Sequence, residues 1–507
     1  MNRSKGSPSN RSKAVGGPAL PAASDFLQLN TAEAPRGGMA DWLARQVRRA
    51  VADGLLPVGS RLPATRVLAA ELGVSRGVIT EAYRRLTEDG HVAGRGRGGT
   101  VVVSAPPAPP PTPPTAPGAT VPDVPSGSSP LFRTPPGTDV FDALRAAPAR
   151  VDLSPGLPDL AAFPRAAWLR AERSVLAGLV PSDFGYGDPR GTPALRRAVA
   201  RWLARNRGIA ADPDEVLVVA GTAQALGLLA TVLQGVGISR VAVEDPCSLG
   251  LRQHLRVSGL QAPPVPVDAG GIRVDVLRDT GAPAVLLTPA HQFPTGVVLD
   301  GVRRRELARW TRDGGLIIED DYDAEHRYDR PPVPALRATL PDRVAYAGSV
   351  SKLLAPALRV GWLLAPRAHH AALVDAKRFA DLGNAALPQL VLARLMESGD
   401  LERHLRLLRR RHRARRDAMI EAIRTHLPGA VVHGAAAGLH LMVTFAHGAA
   451  ERSDTELAAA ALERGVKVQP LSWHAQRPQP PGLVLGYAAS TPTDIREGVA
   501  VLGTLVR

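Results

Sequence analysis

The apolar positions of this chain keep two rhythms, separated by stretches that keep none. DWLARQVRRAVADG (41–54) places Leu43, Val47 and Val51 on one face of a helix that ends at Gly54. In LPATRVLAAELGVSRGVITEAYRRLTEDG (62–90) a helix over 67–72 stops at Gly73, and Ser75 is placed to cap the next, which runs to Gly90. That second helix is expected to bury Val78, Ala82 and Leu86, with Ile79 and Tyr83 beside them. HVAGRGRGGTVVV (91–103) reads as two short strands around a basic, glycine-rich tip. From about residue 150 the rhythm alternates: VLVVA (216–220), VAVE (241–244), AVLLTP (284–289), LIIEDDY (316–322) and VAYAGSV (344–350) are strand-like runs separated by amphipathic helical stretches. Fully apolar strands spaced by helices predict an α/β domain with a mostly parallel sheet.

The remaining stretches set the boundaries. Residues 1–37 are polar and basic and predict a disordered tail, followed by a mainly helical module at 38–103. A linker is expected over 104–150, where APPAPPPTPPTAPG (105–118) favours extended polyproline geometry. The α/β domain takes 151–507. Its size and the 45% apolar content are ample for a large core. No apolar run is long enough to cross a bilayer, and the N-terminus lacks the apolar core of a secretory signal. The single cysteine, Cys247, excludes an internal disulfide, fits a cytoplasmic protein and reads as a packing residue. The net charge of +15 favours a polyanionic partner.

Helix, glycine-containing turn and capped helix describe a helix-turn-helix, whose second helix enters the DNA major groove with its N-terminal residues at the base edges. Arg76 stands at that end, where its forked guanidinium suits guanine. Arg95 and Arg97 in the tip suit phosphates or the minor groove. Over roughly 43–103 the string resembles the winged-helix domain of GntR-type bacterial regulators. The resemblance implies contacts to a double-stranded DNA operator from Arg66, Ser75, Arg76 and Gly77, and from the wing tip around Gly98. Ala64 departs from the family, which often has a serine there.

In GSVSKLLAPALRVGW (348–362) a lysine, Lys352, sits in an otherwise apolar stretch after a strand, at the sheet edge where α/β proteins bind ligands. Burial lowers the proton affinity of such a lysine and makes its amine a nucleophile toward aldehydes. Asp320, buried at the end of LIIEDDY, is suited to holding a pyridine nitrogen protonated, and Tyr322 to bonding a ring oxygen. GTAQALGLLA (221–230) opens a helix after a strand, so the amides of Gly221, Thr222 and Ala223 form a phosphate site with the Thr222 hydroxyl and Arg359. Together these describe a pyridoxal phosphate pocket with no metal.

Residues 150–507 resemble fold-type I aminotransferases, and more closely the aminotransferase-like domain of MocR-type regulators within the GntR group. The resembling strings include YGDPRG (186–191), VEDP (243–246), TPAHQFPTG (288–296), IIEDDYDAEHRYD (317–329) and SVSKLLAPALRVGW (349–362). By resemblance Lys352 forms the Schiff base with pyridoxal phosphate, Asp320 faces the ring nitrogen and Tyr322 the ring oxygen. Thr222, Ser349 and Arg359 hold the phosphate, and Tyr186 reaches the phosphate of a partner subunit in a head-to-tail homodimer.

Three departures bear on activity. Phe293 stands where aminotransferases carry an asparagine against the ring oxygen. Cys247 and Ser248 replace a Gly-Tyr pair whose tyrosine stacks on the ring, which leaves stacking to His291 or another ring. Val484 stands where transaminases tend to have the arginine that clamps the substrate carboxylate, a function for which Arg327 is a possible substitute. The basic run RRRHRARR (409–416) reads as a solvated or dimer-facing surface. The expected function is a cofactor-dependent transcriptional regulator sensing pyridoxal phosphate, or an amine or amino-acid effector through it. Val484 and Phe293 argue against the alternative, a working aminotransferase with an appended DNA-binding module. Retention of Lys352, Asp320, Tyr322 and Arg359 argues against a domain that only dimerises.

Overall fold

In the structure, a computed structural model, residues 38–53, 55–94, 96, 99–103, 130–132, 135–328, 333–445 and 452–506 are described, with Leu29, Thr31, Ala34 and Pro35. The chain forms two compact units, divided near Pro109. In the first, helices α1 (Met39–Ala52), α2 (Thr65–Glu71) and α3 (Arg76–Glu88) pack with an antiparallel pair, β1 (Val92–Gly94) and β2 (Thr100–Val102). Leu43, Val47 and Val51 of α1, Leu68 of α2, and Ile79, Ala82 and Leu86 of α3 form the core, closed by Val92 and Val102 of the strands. The Tyr83 hydroxyl ties α3 to the start of α2 by donating to the Pro63 carbonyl (2.9 Å).

The expected helical face is rotated slightly. Val78 is half-buried, and Ile79 takes the fully buried place. Ser75 has the extended backbone of an N-cap (φ −67°, ψ 145°), but its hydroxyl makes no capping bond and the residue is exposed. Both helices stop two residues before the expected Gly54 and Gly90, where Asp53 and Asp89 close the last turns through backbone bonds. The wing is present as β1 and β2; its tip residues Arg95, Arg97 and Gly98 lie outside the described residues.

The second unit is built on an eight-stranded sheet. In chain order its strands are β3 (Leu217–Val219), β4 (Val241–Asp245), β5 (Pro264–Asp268), β6 (Gly271–Ile272), β7 (Ala284–Leu287), β8 (Leu316–Asp321), β9 (Val344–Ser349) and β10 (Gly361–Leu364). Their spatial order is β3-β10-β9-β8-β7-β4-β5-β6. Strands β5, β4, β7, β8 and β9 run parallel, and β10 runs antiparallel between β9 and β3. Every residue of β4, β7 and β8 is buried, the signature of a sheet covered on both faces. A smaller antiparallel sheet follows, of β11 (Ala430–His433), β12 (His440–Phe445), β13 (Gln469–Pro470) and β14 (Gly482–Gly486).

Two expectations change, one of them a boundary. Phe132, Val140 and Leu144 belong to the core beneath the small sheet, so the chain joins the second unit well before residue 150. The proline-rich part of the expected linker, 104–129, lies outside the described residues, and Val140–Ala146 is a helix with a buried face. The run 409–416 also departs from a solvated surface. On the long helix Asp400–His426, Arg415 and Arg416 are buried, Arg411 and Arg415 face the Asp159 carboxylate (2.8 and 2.9 Å), and Arg416 lies over the Tyr328 ring. Buried guanidiniums need such partners, and Asp159, far away in sequence, supplies one.

Candidate active site

Sheet topology gathers the site. The carboxyl ends of β3, β8 and β9 open on one edge, and the antiparallel β10 begins there. The residues just beyond those ends therefore converge: Gly221 and Thr222 after β3, Asp320 and Tyr322 at β8, Ser349 and Lys352 at β9, and Arg359 before β10. All seven line one cleft of about 560 Å³, closed from the other side by residues 154–157, Gln469 and His474.

Gly221 turns the chain from β3 into helix α4 (Thr222–Gly235) with φ +86°, a conformation that L side chains rarely adopt. A Cβ there would sit 3.4 Å from the Arg359 guanidinium. The first-turn amides of α4, including those of Thr222 and Ala223, have no acceptor within the helix by geometry. Arg359, itself in a left-handed conformation (φ 50°), is fixed by donating to the Ala220 carbonyl. A helix N-terminus, two hydroxyls (Thr222, Ser349) and an arginine make a donor set suited to a phosphate dianion. Ser349 Oγ accepts from the Ser351 amide (2.9 Å) and donates to its hydroxyl (2.8 Å), which orients the turn before Lys352.

The adjacent carboxylates of β8 point to opposite faces, and this separates their work. Asp321 is consumed by structure, held by buried Arg207 (2.5 Å) and the Tyr346 hydroxyl (2.5 Å). Asp320 faces the cleft, where its contact is the Thr222 hydroxyl (3.2 Å). Burial raises its pKa to about 7, against the opposing Thr222 bond. A carboxylate so desolvated gains most from a cationic ring nitrogen. Burial likewise lowers the Lys352 pKa, though Asp320 and Asp323 push it up. Its ammonium donates to the Gly156 carbonyl across the cleft. The cleft thus offers an activated amine, a proton-holding carboxylate and a phosphate cradle, which fit pyridoxal phosphate.

One expected cofactor contact lies elsewhere. His291 is buried behind Tyr322 and does not line the cleft. Its Nδ1 is 2.8 Å from Asp323 Oδ2 and 3.0 Å from the Tyr322 hydroxyl, which donates to the His291 carbonyl (3.2 Å). A ring held there is unavailable for stacking, because Asp323 and the close approach of Gly438 fix it. Tyr186, expected to reach the phosphate of a partner subunit, is 95% exposed and lies outside this protomer's own cleft. Of the departures, Phe293 and Ser248 both line the cleft; the Phe293 ring packs against those of His440 and His474, and the Ser248 hydroxyl caps the helix Leu249–Val257. Val484 is buried in an apolar cluster with Met442 and Leu471. Arg327 does not reach the cleft; it approaches the Ala290 carbonyl (3.4 Å). Sequence reasoning missed Gly156, Thr288, His474 and the helix Val140–Ala146, whose Phe141, Leu144 and Arg145 form one wall. The i, i+4 pair Val140 and Leu144 was the signal available for that helix.

In the first unit, the N-terminal ends of α2 and α3 meet, with Arg76 Nε 3.4 Å from Thr65 Oγ1. Arg66, Ser75, Arg76 and Gly77 are all exposed there. Among the described residues no helix is long and apolar enough to cross a membrane.

Comparison with known proteins matches residues 150–502 to the aminotransferase class I and II family and residues 40–102 to the gntR family of bacterial regulatory proteins. The chain is 30% identical to the probable rhizopine catabolism regulatory protein MocR of Rhizobium meliloti, over 90% of this chain and 91% of that one. It is 30% identical to the HTH-type pyridoxine biosynthesis transcriptional regulator PdxR of Corynebacterium glutamicum, over 92% and 95%. Its structure is similar to that of LysN, an alpha-aminoadipate aminotransferase of Thermus thermophilus complexed with N-(5'-phosphopyridoxyl)-L-leucine. That likeness has a TM-score of 0.65 at 27% identity and covers 74% of this chain and 95% of that one.

Proposed function

From the premise that the chain belongs to the MocR-type regulators of the GntR group, with an aminotransferase class I and II domain over 150–502, we infer a regulator that reads its large domain's ligand onto DNA. The large domain holds pyridoxal phosphate, and the ligand sensed is the cofactor or a primary amine captured through it. When bound, the cofactor supplies an aldehyde carbon that amines attack. Lys352, its proton affinity lowered by burial, presents the amine that would bind it covalently. Asp320 takes the proton-bearing ring nitrogen, and Tyr322 donates to the ring oxygen. Gly221, Thr222, Ala223, Ser349 and Arg359 hold the phosphate, and Tyr186 serves the partner's site in a head-to-tail dimer. Arg66, Ser75, Arg76 and Gly77, with Arg95, Arg97 and Gly98 at the wing tip, contact the operator.

The observation that carries this reading is Lys352, its proton affinity lowered by burial, facing Asp320 in a cleft with a phosphate cradle. Regulation is favoured over turnover by Val484: an apolar residue inside the core cannot clamp a carboxylate. The test is the absorbance spectrum of the full chain with added pyridoxal phosphate, alongside Lys352→Ala. A yellow band that borohydride bleaches while fixing the cofactor permanently to the protein is expected in wild type and absent in the variant. A band of equal intensity in both would overturn the assignment of Lys352. Arg76→Ala is expected to lose specific operator binding while its spectrum stays unchanged, which an operator-binding assay checks.

A further inference from the structure

The helix Val140–Ala146 lies just after the proline-rich stretch and forms part of the cleft wall. It is firmly seated. Val140 and Leu144 are buried, Phe141 packs edge-on against Trp473 (6.4 Å, 86°), and Lys467 Nζ donates to the Arg145 carbonyl at the helix end (3.1 Å). Among the described residues, three cationic side chains of lysine or arginine line the cleft: Lys352, Arg359 and Arg145. The first two belong to the cofactor end. Arg145 enters from the opposite wall, where strand residues Asp152 and Lys467 pair (3.8 Å). Its own partner is Asp142, one turn earlier, and both side chains are largely exposed (65% and 76%). Solvent-exposed pairs of this kind are weak, so the guanidinium exchanges partners readily.

Val484, by contrast, is sealed in the core and leaves the small-sheet wall without a cation at that position. We propose that Arg145 binds the carboxylate of a primary-amine ligand whose nitrogen is captured at the Lys352 end. The cleft then selects amino acids over plain amines, through a residue on the segment that leads from the DNA-binding unit. This rests on the cofactor reading of the cleft. It goes beyond it in assigning a ligand class and the residue that selects it.

The experiment uses the full chain loaded with pyridoxal phosphate and follows the cofactor band during titration. The ω-amino acids β-alanine through 5-aminopentanoate are compared with the matched amines ethylamine through butylamine. At the best-fitting length, wild type is expected to prefer the carboxylate-bearing ligand by about tenfold, the scale of one charge-assisted bond. Arg145→Ala should bring that ligand down to the affinity of its matched amine and leave the amine itself unchanged. Asp142→Asn, which frees the guanidinium, should raise affinity for the carboxylate ligand alone. A preference that survives in Arg145→Ala overturns the proposal, as does its absence in wild type while amines still bind. A wild-type protein with no cofactor band overturns the cofactor reading instead, and this proposal falls with it.

Discussion

The two walls of the cleft make the instructive contrast. The edge of the large sheet gathers polar groups suited to a cofactor: a helix N-terminus with Thr222, a fixed Arg359, a desolvated Asp320 and Lys352 with its proton affinity lowered by burial. Elsewhere the polar groups that the resemblance to transaminases implies are replaced: Phe293 and Ser248 on the cleft lining, and Val484 in the core beneath it, stand where that resemblance implies an asparagine, a tyrosine and an arginine. Holding the cofactor requires the first set, whereas fast transamination also requires a clamped, oriented substrate. A cleft that keeps one and alters the other suits recognition better than turnover.

Four changes would break or sharpen that contrast. The largest effect is expected from Arg359→Ala on the retained wall. Losing a charge-assisted bond to phosphate costs about 1.5–3 kcal/mol, so cofactor affinity by spectral titration should fall roughly ten- to hundredfold. Asp320→Asn comes next and shows in the apoprotein. Burial holds the Asp320 pKa at about 7, above its ordinary 3.8, so the native state keeps a proton that the unfolded chain releases. Stability from this group is therefore full below pH 3.8 and lost as pH rises toward 7. Removing the group should make the loss shallower by up to about 1.4 kcal/mol per pH unit, read from denaturant unfolding across that window. Glu244, Glu319 and Glu325, raised in the same way, leave a residual slope.

A smaller effect is expected behind Tyr322. His291 Nδ1 lies 2.8 Å from Asp323 Oδ2, and with Nδ1 engaged there the Tyr322 phenol has only its 3.2 Å bond to the His291 carbonyl to exchange for a ring oxygen in the cleft. In Asp323→Asn the imidazole can change tautomer and accept the phenol's proton itself. The pH titration of the bound cofactor's absorbance should then rise by about one unit, because its ring oxygen loses a donor. The smallest change is on the altered wall. Ser248→Tyr restores a ring, and a stacked pair adds about 0.5–1.5 kcal/mol. Cofactor affinity should rise a few-fold, against a loss of stability of about 1 kcal/mol for the helix cap that Ser248 provides.

The retained wall was the legible part of the molecule. Its strands are unbroken apolar runs buried on both faces, so their ends, and the residues just past them, could be read directly from hydropathy. Local rhythm does not reveal side chains whose partners are distant in sequence. Arg415 looked like surface because Asp159, its counterion, lies far back along the chain. His291 looked available for stacking because nothing in TPAHQFPTG announces Asp323 behind it. The helix Val140–Ala146 was hidden by the prolines that precede it, although Val140 and Leu144 already had the spacing of a buried helical face. Asp320 and Asp321 are equivalent in composition, and only the pleat of β8 and the position of Arg207 tell them apart.

The central claim, that the cleft reports to the DNA-binding unit, is tested most directly by operator affinity. The full chain's Kd for its operator would be measured with and without pyridoxal phosphate at fixed salt, with Lys352→Ala in parallel. The account predicts a shift of about tenfold in wild type, the scale of a coupling free energy of about 1–2 kcal/mol, and none in the variant. Equal affinity in wild type with and without bound cofactor would contradict it.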